Sequence, residues 1–168
     1  MKYLMSLIYL CTLITTSAFA GTIENVEYQL PRSAKEWEIA DQLQNEKGTT
    51  EIYVPKGSNK EQVKEFFGVN SNHYQSNVND TDSIKKGISS MYPGMNIDLW
   101  AVEKNKDDLI YEWTAKKNGQ EKIHGWGRVF VNNNGSITLA YQTEDVSNIQ
   151  KTREIWVPVF KSATRISN

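Results

Sequence analysis

Hydrophobic and polar positions in the N-terminal part of the chain alternate in the manner of strands. Residues 23–30 alternate weakly and stop at Pro31, which is typical of a first strand or an extended arm. Residues 33–43 fit either a short capped helix or a strand. We favour the strand, because a turn at residues 46–48 leads into a β-branched and aromatic run at residues 49–54. The pattern therefore predicts an N-terminal hairpin.

After this hairpin the hydrophobic spacing changes to that of helices. Apolar side chains within residues 63–67 share one helical face, which predicts a short helix and then a polar loop at residues 69–79. A second helix is predicted to begin at Asp80 or Asp82, either of which can cap it, and to end at the turn of residues 92–94. Its apolar stripe consists of Ile84, Ile88 and Met91.

The second half of the chain returns to the period of strands. Tight hairpin turns are predicted at residues 118–119 and 134–135, because Asn-Gly readily adopts the left-handed backbone that such turns need. From residue 147 onward the spacing is helical, and Pro158 should kink or split this last helix. The sequence thus predicts an α+β fold, in which helices cover an antiparallel sheet made of the N-terminal hairpin and a four-stranded meander. The meander strands are predicted at residues 96–103, 108–116, 121–131 and 136–143.

The first twenty residues have the order of a secretory signal peptide. Lys2 precedes an apolar run over residues 3–14, and small side chains lead to a cleavage point between Ala20 and Gly21. The run is shorter than the roughly 20 apolar residues that a bilayer crossing needs. Cys11 lies inside the run behind bulky side chains, which does not fit a lipoprotein anchor. We therefore expect cleavage and export from the cytoplasm.

Residues 21–168 are predicted to form a single domain with a sizeable core, since a chain of this length buries enough surface without covalent links. They contain no cysteine, so neither a disulfide nor thiol chemistry is expected. The whole chain has 19 basic and 20 acidic side chains and no basic cluster. A nucleic-acid partner is not expected, because binding to phosphates depends on accumulated Lys and Arg. No transmembrane segment is expected in the mature chain.

The densest group of chemically useful side chains falls on the predicted meander. Across its first predicted turn, Trp113 would lie opposite His124. Across its second, Arg128 would lie opposite Tyr141. One face of the sheet would then carry stacked rings, one imidazole and one guanidinium. Its predicted members are Tyr111, Trp113, His124, Trp126, Arg128, Phe130 and Tyr141.

This group has two interpretations. As a core, its rings would pack beneath a helix and stabilise the sheet through cross-strand pairs. As a recess, the rings, the imidazole and the guanidinium would hold an anionic or sugar-like ligand. The candidate ligand-binding residues are His124, Arg128, Trp126, Trp113 and Tyr111.

The opposite face of the same strand is predicted to carry a bare strip at Gly125 and Gly127. Glycine inside a strand marks a place where another group comes close, which is either a packed helix or Trp side chain, or a ligand groove. Alternation places Glu112 on this glycine face, where it is expected to be partly covered.

Motifs for catalysis are not found in the sequence. Its two histidines, His73 and His124, do not have zinc-binding spacing, and neither a nucleophile elbow nor a phosphate-binding loop is present. We expect no cofactor and no metal. A hydrolase site around His124 stays open as an alternative, because catalytic triads are recognised by geometry.

Two resemblances add to these predictions. Residues 52–57, Ile-Tyr-Val-Pro-Lys-Gly, followed by Glu-Phe-Phe at residues 65–67, resemble small exported gammaproteobacterial proteins of unknown function. This resemblance implies a protein that is periplasmic in a Gram-negative bacterium or secreted from it. The order of elements and the ending at residues 156–161 are similar to PsbP-like α/β/α sandwiches, in which a final helix lies across an antiparallel sheet. This similarity implies a binding or assembly module and transfers no catalytic residues. The expected function is an exported binding or interaction module, with a hydrolase or a structural component of an envelope assembly as alternatives.

Overall fold

A seven-stranded antiparallel sheet organises the part of the chain that the computed structural model describes. Two helices and a separate two-stranded ribbon complete this part of the molecule, so the predicted α+β class is confirmed. The predicted signal peptide lies outside the described residues, as does most of the predicted loop before the second helix. The described residues are 26–31, 36–59, 62–73, 80–132 and 135–166.

The elements agree with the predicted order except at residues 63–67, where a strand replaces a helix, and at the C-terminal end, where a short strand follows the last helix. They are β1 (Val26–Glu27), β2 (Trp37–Asn45), β3 (Gly48–Pro55), β4 (Glu65–Asn72), α1 (Thr81–Met91), β5 (Asn96–Lys104), β6 (Asp108–Lys117), β7 (Gln120–Asn132), β8 (Gly135–Thr143), α2 (Ile149–Ser162) and β9 (Thr164–Arg165). The strand order in the sheet is β2-β3-β4-β8-β7-β6-β5, and β1 pairs with β9. The predicted N-terminal hairpin and the predicted meander therefore join through β4 and β8.

The predicted helix at residues 63–67 is wrong, because this segment forms strand β4. Phe66 packs in one hydrophobic cluster and Phe67 in the other, on opposite faces of the sheet. A strand between two covered faces carries apolar residues at consecutive positions, and this pattern resembles a short stretch of helix. Residues 69–72, predicted to begin a loop, continue the same strand.

Each face of the sheet is covered by one helix. Asp80 caps α1, where its carboxylate accepts a hydrogen bond from the backbone nitrogen of Ser83, and Ile88 and Met91 are buried against the face that we call the α1 face. Helix α2 buries a different apolar stripe against the other face, the α2 face. It is not split at Pro158, which lies on its exposed side, where water can hydrate the carbonyl group that loses its partner.

A β-bulge in the first hairpin of the meander changes the predicted register. Lys116 pairs with Glu121 as a two-residue turn requires, but the next pair is Ala115 with Ile123. Lys122 is the extra residue. Beyond it the register is displaced by one position, and a displacement by one moves every side chain to the other face.

The predicted grouping of site residues on one face is therefore wrong. Trp113 pairs with Gly125, and Tyr111 pairs with Gly127, so both rings lie on the α1 face. His124, Trp126 and Arg128 lie on the α2 face. The second hairpin also departs from the prediction, since Asn132 pairs with Gly135. The register of this hairpin is displaced by two positions, and a displacement by two leaves each side chain on its predicted face. Arg128, Phe130 and Tyr141 therefore stay on one face.

Gly125 and Gly127 provide the space in which two rings of the α1 face lie. A Cβ atom on Gly125 would overlap the indole of Trp113, and one on Gly127 would overlap the phenol of Tyr111. The bare strip is filled by side-chain packing, which confirms the interpretation that a Trp side chain covers it.

We expect Gly127→Ala to lower the free energy of unfolding by about 1–3 kcal/mol, because the added methyl group overpacks the core against Tyr111. Urea unfolding measures the loss. In a Tyr111→Ala background the same substitution should be neutral or stabilising, since alanine is otherwise preferred over glycine in a strand. Additive effects of the two substitutions would contradict direct packing of the ring on the glycine.

Candidate functional site

The guanidinium of Arg128 holds the end of helix α2. Its Nη1 donates to the carbonyl oxygens of Phe160 at 2.7 Å and Ala163 at 2.9 Å, and its Nη2 lies 3.2 Å from a carboxylate oxygen of Asp108. The same group stacks on the ring of Phe130, 4.2 Å from its centre. Arg128 is thus engaged in structure, and its charge is already balanced.

His124 lies at the centre of a buried charged cluster. Its Nε2 is 2.8 Å from Oε1 of Glu112, and its Nδ1 is 2.7 Å from Oε1 of Glu121. Arg153 of α2 places Nε 3.4 Å from the second oxygen of Glu112. The His124 and Glu112 side chains are only 6% and 4% exposed, whereas Glu121 is 29% and Arg153 is 44% exposed. We call these four residues, together with Thr114, Trp126 and Trp100, the His124 site.

The β-bulge at Lys122 is what assembles this site. It places Glu112 opposite Trp126 on the α2 face, not on the glycine face as the sequence suggested. The expectation that Glu112 is covered is confirmed, since the residue is 3% exposed. The bulge also lies between Glu121 and His124, whose side chains hydrogen-bond. Sequence reasoning missed Glu121, Arg153 and Trp100 as members of the site.

Several buried polar atoms of the site have no hydrogen-bond partner among the described residues. They are Oε2 of Glu112, Nε1 of Trp126 and Oγ1 of Thr114. These atoms belong to neighbouring positions, because Thr114 pairs with His124 and Glu112 pairs with Trp126. Buried polar groups are normally satisfied, and a place where several are not is suited to a water molecule or a ligand group.

Aromatic rings surround the charged cluster. Trp126 lies 4.4 Å from the imidazole of His124, and the indole of Trp100 meets that imidazole edge-on at 6.2 Å. Beyond Trp126, the ring of Tyr141 stacks on Trp156 of α2 at 3.9 Å. Burial, with the charge of a neighbouring carboxylate, raises the pKa of Tyr141, so its hydroxyl stays a donor. The inner wall of the site therefore consists of buried, stacked rings, and Trp100 forms its outer side.

Trp100 is the solvent-facing member of the group. It lies on β5, at the end of the sheet formed by the described residues, and is 40% exposed. On the same strand, Asp98 pairs with Lys116 at 2.8 Å, and this hydrogen bond lowers the pKa of the Asp98 carboxyl. The rim of the site thus offers one exposed indole beside a balanced ion pair.

The arrangement favours a positively charged ligand group over a negative one. Both nitrogens of His124 face carboxylate oxygens, which leaves neither free to accept a proton from a nucleophile. The acidic surroundings would repel an anion. Of the five candidate ligand-binding residues, His124 and Trp126 lie at the site, Arg128 is engaged elsewhere on the α2 face, and Tyr111 and Trp113 are buried on the α1 face.

A second concave region lies where β3 leads toward β4. It is an open groove of about 610 Å³ whose lining includes Pro55, Lys56 and Gly57 of the Tyr-Val-Pro-Lys-Gly segment. Lys56 pairs there with Glu36 at 2.5 Å. The groove contains charges of both signs and no buried unsatisfied group among the described residues.

The architecture is that of a sheet between two helices, and comparison with solved structures identifies a similar fold. The solution structure of cyanobacterial PsbP (CyanoP) from Synechocystis sp. PCC 6803 matches with a TM-score of 0.59, over 91% of this chain and 99% of that chain. The two sequences are 10% identical, so the similarity shows the fold alone. This finding confirms the predicted PsbP-like topology. No family model and no curated protein matches the sequence.

Neither a bilayer-spanning helix nor a cluster of metal ligands is found among the described residues. None of the helices there combines the length and the apolar character needed to span a bilayer. In the same part of the chain, no group of three or more His, Cys, Asp or Glu side chains is arranged to hold a metal ion.

Proposed function

We propose that this chain is an exported binding module, whose partner contacts strand β5 at Trp100 and the adjoining His124 site. The observation that carries the proposal is the 40% exposure of Trp100 directly beside a buried charged cluster. Tryptophan combines a large apolar surface with little conformational entropy, and it is enriched where proteins bind partners.

Comparison with the other exposed apolar side chains supports this choice. Within the described residues, large hydrophobic side chains are also exposed at Ile39 and Ile166. Scattered single exposures of this kind are normal on a protein surface. Trp100 differs because unsatisfied polar atoms lie beside it, which a partner could satisfy. Ile39, on the opposite edge strand β2, is therefore a suitable control.

The geometry gives less support to the alternative of a hydrolase. A catalytic histidine needs one nitrogen free for the nucleophile, and His124 faces a carboxylate on both sides. The similarity to PsbP in fold is compatible with a binding role and does not specify a partner.

The test places a benzophenone-bearing amino acid at position 100 of the full chain and recovers the protein from the periplasm of the source bacterium. We expect an intact mass that begins at Gly21, and on irradiation a discrete adduct. Excess native chain should suppress the adduct, whereas excess Trp100→Ala chain should not. Mass spectrometry measures both cleavage and adduct formation.

The same amino acid at position 39 is the matched control, and we expect no adduct there. Equal adducts from positions 39 and 100, or none from either, would contradict a binding surface at β5. Recovery of the uncleaved chain in the cytoplasm would contradict export.

A further inference from the structure

We infer that the His124 site accepts a guanidinium group, presented by an arginine of the partner, in the place that Arg153 now partly occupies. This inference rests on the proposed function, since the group enters beside Trp100. It names the chemistry of the partner, which the proposed function leaves open.

The first step concerns the charge of the buried groups. Both nitrogens of His124 lie within hydrogen-bond distance of carboxylate oxygens, so one imidazole is set between Glu112 and Glu121. Of the two carboxylates, that of Glu112 is the more deeply buried. Oε2 of Glu112 is the buried oxygen left without a hydrogen bond. This oxygen lacks a donor in hydrogen-bonding geometry.

The second step concerns Arg153, which pairs with this oxygen without donating a hydrogen bond to it. Its Nε is 3.4 Å from Oε2 of Glu112, and the contact does not meet the geometry of a hydrogen bond. Its side chain is 44% exposed, so it can turn into water at little cost. An arginine that enters from solvent can instead make two parallel hydrogen bonds to a carboxylate, which are stronger and more directional.

The third step concerns the indole at the entrance. Trp100 stands edge-on to His124 with much of its surface in solvent. A planar guanidinium stacks on an indole face and pairs with a carboxylate at the same time, whereas an ammonium group is a compact and strongly hydrated charge. The combination of Trp100 with Glu112 and Glu121 therefore selects arginine over lysine. The inferred ligand group, a guanidinium, thus differs from the anionic or sugar-like ligand that the sequence suggested.

The test titrates N-acetyl-arginine amide into native protein and into the Arg153→Ala variant. The indole N–H signals of Trp100 and Trp126 are followed by NMR. We expect both signals to shift and the apparent affinity to rise about two- to fivefold in Arg153→Ala, because the competitor that is removed is a solvent-exposed ion pair of modest strength. Lys151→Ala, at an exposed position of the same helix, is the matched control and should leave the affinity unchanged.

Further arms separate the possible outcomes. Glu112→Gln, alone and with Arg153→Ala, should abolish the shifts. If a single variant folds poorly, the double variant is used, because it leaves neither Glu112 nor Arg153 as an unpaired charge. N-acetyl-lysine amide and acetate should bind at least tenfold more weakly. Methylguanidinium tests whether the free group suffices without a peptide, and binding at equal strength would overturn the assignment to an arginine of a partner. Absence of shifts in Arg153→Ala would overturn the whole inference, whereas adducts from position 100 would still support the proposed function.

Discussion

Replacement of Arg128 by alanine should lower the free energy of unfolding by about 3 kcal/mol, the lower end of the range for removing one partner of a buried ion pair, because this pair is partly buried. The Arg128 side chain is 12% exposed, and its guanidinium donates to three backbone carbonyls at the C-terminal end of α2. Without it, Asp108 loses its partner, and those carbonyls lose a cation at the negative end of the helix dipole. Helix α2 should then detach more readily from the sheet.

Thermal and urea unfolding measure this effect. A loss of this size corresponds to a fall in Tm of roughly 10 °C for a domain near 150 residues. Arg128→Lys keeps the charge but not the fork of donors, so it should recover only part of the loss. Lys161→Ala removes a cation from the same helix end, where its ion pair with Glu103 is exposed, and should change Tm little. An Arg128→Ala variant as stable as Lys161→Ala would contradict the anchoring role.

The elements of this fold could largely be predicted, since their patterns are local. The cap at Asp80, the apolar stripe of α1 and the alternation of the meander strands all depend on neighbours in sequence. Strand β4 could not be distinguished in this way. Phe66 and Phe67 are consecutive apolar residues because both faces of the sheet are covered, and that is a property of the assembled layers.

The register of the first meander hairpin was the step that local pattern could not decide. A bulge at Lys122 leaves no mark in the hydrophobic pattern, yet it moves His124 and Glu112 to the same face. A signal was nevertheless present. If Trp113 and Tyr111 had been placed on the bare strip of Gly125 and Gly127, the pairing observed in the structure would have followed.

The candidate site was predicted only in its centre. His124 and Trp126 were identified because a histidine among aromatic residues stands out in one strand. Glu121, Arg153 and Trp100 come from three other places in the chain, and only the bulge and the packing of α2 bring them together. Arg128 was predicted as a ligand residue from its type, whereas its surroundings show that it binds backbone carbonyls.

The buried charges of the His124 site should cost the fold stability rather than add to it. We expect His124→Leu to lower the free energy of unfolding by about 3–5 kcal/mol, because it leaves the buried carboxylate of Glu112 without its principal partner. The double variant His124→Leu with Glu112→Leu should recover most of this loss and can exceed the native stability, since apolar residues of similar volume often replace a buried ion pair without penalty. Urea unfolding of the single and double variants measures both effects.

The comparison separates a structural role from a binding role for the cluster. If the double variant is as stable as the native chain but no longer forms the adduct from position 100, the charges serve the partner and not the fold. Glu121→Gln, at the more exposed carboxylate, is the control that should alter stability much less. A double variant that stays several kcal/mol below the native chain would instead assign the cluster to folding, because its hydrogen bonds would then exceed the cost of burying its charges.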